Sequence, residues 1–181
     1  AVATVTRRRT ALAPAQVLAA AWLGLLTHPW GDLFTGEPPA FLYPLDATLF
    51  ATRIGLHADP TLHLLAVFGL ELATAWAVVA VLWAVADEPS IGAIERKAVL
   101  GVGFAAATTV LPPPTLDFSY PFVFSILGIG TLLGAPRLGG GAVQFVRRQH
   151  LDVDRLRRAT MTGLTAVTLA WSGYVAVYLL L

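Results

Sequence analysis

Residues 61–86 read TLHLLAVFGLELATAWAVVAVLWAVA, and this run sets the class of the protein. It is apolar along almost its whole length, and His63 and Glu71 are its only ionisable side chains. A run of about 18 or more apolar residues is long enough to cross the hydrocarbon core of a bilayer as one α-helix. An acidic turn that contains a proline, residues 87–89, follows directly. The run therefore predicts a membrane-spanning helix.

The composition of the whole chain points to the same environment. Of its 181 residues, 56% are hydrophobic and 13% are charged, which is too little polar surface to cover a soluble globule of this size. The chain has no cysteine, so disulfides, thiolate zinc sites and a cysteine nucleophile are excluded, and His and carboxylates remain as the strong metal ligands. Basic and aromatic residues are not interleaved as they are on nucleic-acid surfaces, so the expected partner is the lipid bilayer and no nucleic acid.

Four further segments are apolar enough to form helices of a membrane bundle. Prolines and glycines separate them, most clearly at 112–114 and 139–141. We therefore predict an all-α polytopic membrane helix bundle of about five transmembrane helices, forming a single integral membrane domain over residues 1–181. The predicted spans are Ala11–Thr27, Thr61–Ala86, Ile91–Leu111, a helix from Leu116 or Pro121 to Gly134, and Ala159–Leu181.

Two segments between these spans are amphipathic. Residues 34–60 combine several prolines with an apolar spacing between positions 45 and 56, which predicts a short interfacial helix in a lid or re-entrant segment. Residues 143–158 are basic, which favours a surface helix on an anionic leaflet. Within the fourth span, Gly130 and Gly134 have a spacing that permits close approach of a neighbouring helix, although a bend or simple composition explains it equally well.

Basic residues are segregated along the chain. Eleven of the twelve Arg and Lys residues fall in segments 1–10, 87–97 and 135–158, and only Arg53 falls elsewhere. Five spans place these three segments on one side, which the positive-inside rule identifies as the cytoplasm. We predict a multi-pass protein of the cell (plasma) membrane. The abundance of Ala, Gly, Val and Leu and the absence of Asn favour a prokaryotic or archaeal source.

A polar cluster lies at the predicted extracytoplasmic end of the first span. His28 and Asp32 are four residues apart, so on a helix their side chains lie on one face and can bind one cation. Catalytic zinc sites normally use three protein ligands and keep one position open for water, so two ligands are too few. His63 is the candidate third ligand. The alternative for His28 is an interfacial histidine that only accepts a hydrogen bond.

Glu71 is the candidate catalytic residue. It lies about 15 Å into the second span at a rise of about 1.5 Å per residue, where an ionised carboxylate is costly unless it is paired. A protonated carboxyl group, or one that is hydrogen-bonded to a Ser or Thr of a neighbouring helix, explains Glu71 equally well. Asp117 is more simply a solvated loop side chain, and His57 and Asp59 are predicted to be surface residues.

The residues around the histidine–aspartate pair carry a resemblance to a known family. They are Gly24, Thr27-His28, Asp32, Thr35-Gly36 and Tyr43-Pro44, and they resemble the signature of the YdjM-type membrane-bound metal-dependent hydrolases. The resemblance implies a divalent metal ion, zinc by preference, at an extracytoplasmic His/Asp site. The family also has an acidic D-x-D-type motif and a further His upstream, which these residues lack. The resemblance therefore implies that an upstream segment or a partner chain completes the site, and that this chain is the C-terminal part of a longer domain.

Two classes of function follow. In the first, the protein is a metal-dependent hydrolase in which water activated by a divalent cation attacks a phosphoester or another ester, and Glu71 takes up the proton. In the second, it is a non-enzymatic membrane protein, a transporter or an assembly partner, whose polar cluster lines a path or a helix contact. No inverted repeat is evident between the halves of the chain, which favours the hydrolase.

Overall fold

The fold is all-helical, and it is seen in a computed structural model. The chain forms two compact units, Ala1–Leu56 and His57–Leu181. No strand occurs among the residues that the structure describes, so the predicted all-α class is confirmed for them. Those residues are 18, 22, 30–36, 38, 40–45, 47–86, 93–135 and 153–181.

The described residues of the second unit form five helical elements. They are α1 (Pro60–Ala86), a 3-10 helix (Arg96–Ala106) that continues into the short α2 (Ala107–Val110), α3 (Tyr120–Gly134) and α4 (Val153–Leu180). Two of them, α1 and α4, are long and apolar enough to cross a membrane, and α3 is a shorter apolar helix. The helix predicted over Thr61–Ala86 is therefore confirmed, and so is the predicted helix that ends at Gly134.

The predicted third helix, Ile91–Leu111, differs in type from the observed one. The residues from Arg96 to Ala106 form a 3-10 helix rather than an α-helix. Its buried residues Ala98, Gly101 and Phe104 recur at every third position, as expected for a helix with three residues per turn. The chain becomes extended at Leu111, directly before the three prolines that were predicted to stop the helix.

The last helix begins earlier than predicted. α4 runs without interruption from Val153, so residues 153–158 belong to the final helix and not to a separate surface helix. No glycine or proline occurs between Val153 and Gly163 to break it. The rest of the predicted surface helix, residues 143–152, lies outside the described residues, as does most of the predicted first span, Ala11–Thr27.

α1 and α4 run antiparallel. Near the start of α1, the Leu65 carbonyl accepts a hydrogen bond of 2.9 Å from Trp171 Nε1–H. Further along α1, Trp76 Nε1–H donates to Thr168 Oγ1, also at 2.9 Å. Position therefore rises along α1 as it falls along α4. Each tryptophan is half-buried and satisfies its one donor on the neighbouring helix.

α3 also runs antiparallel to α4 and packs very closely on it. A Cβ atom added at Gly134 would lie 2.6 Å from the carbonyl oxygen of Ala159, and one added at Gly163 would lie 2.8 Å from that of Gly130. Only residues without a side chain permit backbones to come this near. The close approach predicted for the glycine pair of this helix is therefore confirmed, with α4 as its neighbour.

Aromatic side chains fill the interior of the second unit. The ring of Phe122 lies 4.9 Å from that of Tyr174 and 5.7 Å from those of Phe68 and Phe104. These side chains come from α3, α4, α1 and the 3-10 helix, so one cluster joins all four. Such ring pairs contribute about 0.5–1.5 kcal/mol each beyond the burial of their area.

The first unit contains a short helical segment, residues 30–35, followed by turns. Leu33 is buried, and its carbonyl accepts a hydrogen bond of 2.7 Å from the Ile54 N–H. Residues 47–56 are irregular, so the predicted interfacial helix is wrong for this segment. Its backbone bonds to Leu33 instead of to itself, and a helix this short is marginal without a packed face.

Candidate functional site

The start of α1 is capped by the residue that precedes it. Asp59 Oδ1 accepts the Leu62 N–H at 2.8 Å, and Pro60 occupies the first helical position, where a missing donor costs nothing. The His57 ring is tied to the same residue, because its Nδ1 accepts the Asp59 N–H at 3.0 Å. His57 is exposed and Asp59 half-buried, and each has a local structural role at the helix start.

His63 lies one turn into α1 and is buried. Only 4% of its surface is exposed, and its N–H donates to the Asp59 carbonyl at 2.9 Å, which continues the first turn of the helix. Thr61 beside it is equally buried. Burial restricts the orientations open to an imidazole ring, and the surroundings of a metal-ligating histidine likewise orient its ring.

The predicted pair is described for one member only. Asp32 lies in the helical segment 30–35 of the first unit, where it is half-buried, and its carbonyl accepts the Gly36 N–H at 2.9 Å. His28 lies outside the described residues. The pair therefore stays a prediction.

Glu71 lies on the exposed face of α1, two turns after the buried His63. Most of its exposed neighbours are apolar, since Leu70, Val78 and Val81 are 48%, 55% and 62% exposed, and Thr74 one turn further on is exposed as well. A carboxylate in an apolar face of a helix of transmembrane length requires a polar partner or water. The two residues therefore differ in burial, although both lie in the same half of α1.

The described residues do not by themselves form a metal centre. Among them, no three His, Asp or Glu side chains are grouped so that they could hold a metal ion. Of the three predicted ligands, His63 lies in the second unit, Asp32 lies in the first unit, and His28 lies outside the described residues. The described part of the chain thus does not fit a divalent ion, and no reaction step can be derived from it. Asp117 is exposed in the loop before α3, as predicted.

The opposite end of the second unit is basic and held together by polar contacts. The Glu95 N–H donates to Thr162 Oγ1 at 3.0 Å, and this hydroxyl is completely buried in α4. Lys97 Nζ donates to the Ala135 carbonyl at 2.7 Å and pairs with Glu95 at 3.3 Å. Sequence reasoning did not identify these contacts. The one feature of the sequence that singles out this region is that Lys97 is the only lysine in the chain.

The described chain is thus an all-helical protein with two helices long and apolar enough to cross a membrane. No protein-family model matches it, and no curated protein or solved structure matches it either. The resemblance to the YdjM-type hydrolases therefore depends on residues 24–44 alone.

Proposed function

We propose that the protein is a multi-pass protein of a prokaryotic or archaeal plasma membrane, with five spans and its basic segments in the cytoplasm. The apolar helices α1 and α4 support a membrane location. The order of the helices supports the topology, because α1 and α3 run against α4 while the 3-10 helix runs along it. This alternation places Arg96 at the same end of the bundle as Arg155, and Asp59 at the other.

Labelling of single cysteines tests this topology. The chain has no native cysteine, so Glu37→Cys, Ala58→Cys, Arg147→Cys and Arg155→Cys each introduce one thiol. We expect an impermeant thiol reagent to label positions 37 and 58 in intact cells, and positions 147 and 155 only after lysis. Ala58 is substituted instead of Asp59 because a change at Asp59 would remove the side chain that caps α1. Labelling of position 147 but not of 37 in intact cells would reverse the topology and the side of the site.

We further propose that the protein is a membrane-bound metal-dependent hydrolase acting on a phosphoester or another ester at the extracytoplasmic side. His28, Asp32 and His63 are the proposed ligands of a divalent ion, preferably zinc, and Glu71 is the proposed proton acceptor. The proposal is carried by the signature around His28 and Asp32, and the burial of His63 near the start of α1 supports it. An upstream segment or a partner chain is proposed to complete the ligand set.

Zinc titration of the purified chain in detergent tests the proposed ligands. We expect the chain alone to bind zinc weakly, and His28→Ala and Asp32→Ala each to lower its affinity by at least about tenfold, since each removes a direct ligand. The matched control is His57→Ala, which we expect to bind like the wild type because the His57 ring is engaged by the Asp59 N–H.

Equal affinity in the wild type and both ligand variants would exclude the pair from the site. Tight one-to-one binding by the wild-type chain would show that the ligand set is already complete and that no upstream segment is needed.

The second candidate function is that of a non-enzymatic membrane protein, and one observation favours it. Glu71 lies on an exposed apolar face of α1, where its carboxyl group is better explained by a contact with another helix or by a permeation path than by a site at His63. The two functions predict different titrations. Complete absence of zinc binding by an intact, folded chain supports a transporter or an assembly partner.

A further inference from the structure

A groove of about 350 Å³ lies between the 3-10 helix and α3. Leu100, Gly103 and Ala107 line one wall, and Ile129, Leu132 and Leu133 line the other. The walls offer no polar side chain to a ligand. An added Cβ at Gly103 would meet nothing within 4 Å, so the space beside this residue is open. The groove is therefore suited to a slender apolar ligand.

A cation closes one end of this groove. Because a 3-10 helix has three residues per turn, Lys97 lies in the same row as Leu100 and Gly103. Its Nζ reaches across to the Ala135 carbonyl, at the end of α3, at a distance of 2.7 Å. Lys97 Nζ also forms an ion pair with the Glu95 carboxylate at 3.3 Å, and its ammonium group has three donors in all.

The charge around this end is positive. Among the described residues there, five side chains are basic and two are acidic, and Arg96 beside Lys97 is exposed. The basic side chains are Arg96, Lys97, Arg155, Arg157 and Arg158, and the acidic ones are Glu95 and Asp154. An apolar groove that ends at a cluster of cations has the polarity of an anionic lipid, with its tail in the groove and its phosphate at the cations.

We infer that this groove binds one acyl chain of an anionic phospholipid of the cytoplasmic leaflet, with the lipid phosphate at Lys97 and Arg96. The inference depends on the membrane location and the topology proposed above but not on the hydrolase. An acyl chain held in the groove makes van der Waals contacts along both walls. These contacts are closer than those that mobile bulk lipid would make with the same surface. A zwitterionic lipid offers the same chain but gains less from the cations, so the charge cluster sets the preference for the headgroup.

Native mass spectrometry of the full chain in detergent tests the inference, with phosphatidylglycerol and phosphatidylcholine of identical acyl chains as probes. We expect one phosphatidylglycerol molecule to bind with at least fivefold preference over phosphatidylcholine. The double variant Arg96→Gln/Lys97→Gln is expected to lose that preference and to bind the two lipids equally. Equal binding of both lipids by the wild type would overturn the inference.

A matched pair of glycine variants locates the bound chain. Gly103→Leu adds a side chain at a residue that lines the groove, while Gly128→Leu adds the same side chain at a residue of α3 outside the lining, and an added Cβ meets nothing within 4 Å at either position. We expect Gly103→Leu to lower phosphatidylglycerol binding at least tenfold and Gly128→Leu to leave it unchanged. Unchanged binding in Gly103→Leu would overturn the inference.

Membrane extraction separates this inference from the proposal it depends on. A chain that alkaline carbonate releases from membranes refutes the membrane location itself. A chain that stays in the membrane but shows no preference for phosphatidylglycerol refutes the lipid site alone.

Discussion

Gly101→Ala is expected to disrupt the second unit, whereas Gly103→Ala, two residues further along the same helix, is expected to leave it intact. A Cβ added at Gly101 would overlap the backbone carbonyl of Ala166 in α4. Backbone atoms of two packed helices can only separate if a whole helix shifts, so the overlap cannot be relieved locally. At Gly103 an added Cβ meets nothing within 4 Å.

The two substitutions are expected to change the free energy of unfolding in opposite directions and by different amounts. Overpacking a core costs about 1–3 kcal/mol and occasionally more, and a backbone clash falls at the upper end, so we expect Gly101→Ala to lose about 3 kcal/mol. Alanine gains about 1 kcal/mol over glycine in a helix interior, which sets the upper limit for Gly103→Ala. The free energy of unfolding from an SDS titration in mixed micelles measures both. Equal stabilities would contradict the packing of the 3-10 helix on α4.

Some helix ends could be predicted because residues close in sequence determine them. The prolines after Leu111 stop the helix before them, and Gly134 is the last residue of α3, as predicted. Each signal acts through hydrogen bonds or sterics within a few residues, so neighbours in sequence suffice to identify it.

The type of the third helix could not be predicted in this way. A 3-10 helix over Arg96–Ala106 is chosen by its packing, since the row Ala98, Gly101 and Phe104 faces α4 only at a period of three. The same residues at a period of 3.6 read as an ordinary apolar helix. The contact that selects between the periods is with residues of α4, far away in sequence.

The sequence predicts which residues form the candidate site, but it does not predict where their side chains lie relative to one another. α1 is apolar on every face, so its sequence periodicity does not reveal which side packs against the bundle. His63 and Glu71 are eight residues apart, which puts them within about 80° of each other around a helix, so the sequence predicts both for one site although one is buried and the other exposed. Their roles at a metal ion stay predictions, which the zinc titration tests.

The contact between Gly130 and Val167 provides a test of how α3 packs on α4, and it can be reversed. A Cβ added at Gly130 would overlap Cγ2 of Val167, and it would lie 3.2 Å from the carbonyl oxygen of Gly163. Valine has one strongly preferred rotamer in a helix, so its methyl group cannot easily turn away. We expect Gly130→Ala to lose about 2–3 kcal/mol of unfolding free energy by overpacking.

Val167→Ala removes the methyl group that Gly130→Ala would strike, so the two changes should compensate each other. Alone, Val167→Ala should lose about 1–2 kcal/mol, because it deletes buried methyl groups and leaves a small cavity. In the double variant the new methyl group at position 130 fills that cavity, and we expect its loss to be at least about 1 kcal/mol smaller than the sum of the single losses. The same SDS titration measures this coupling, with Gly128→Ala as the control, since its Cβ meets nothing within 4 Å. Strictly additive losses would mean that residues 130 and 167 are not in contact, and the antiparallel packing of α3 on α4 would have to be redrawn.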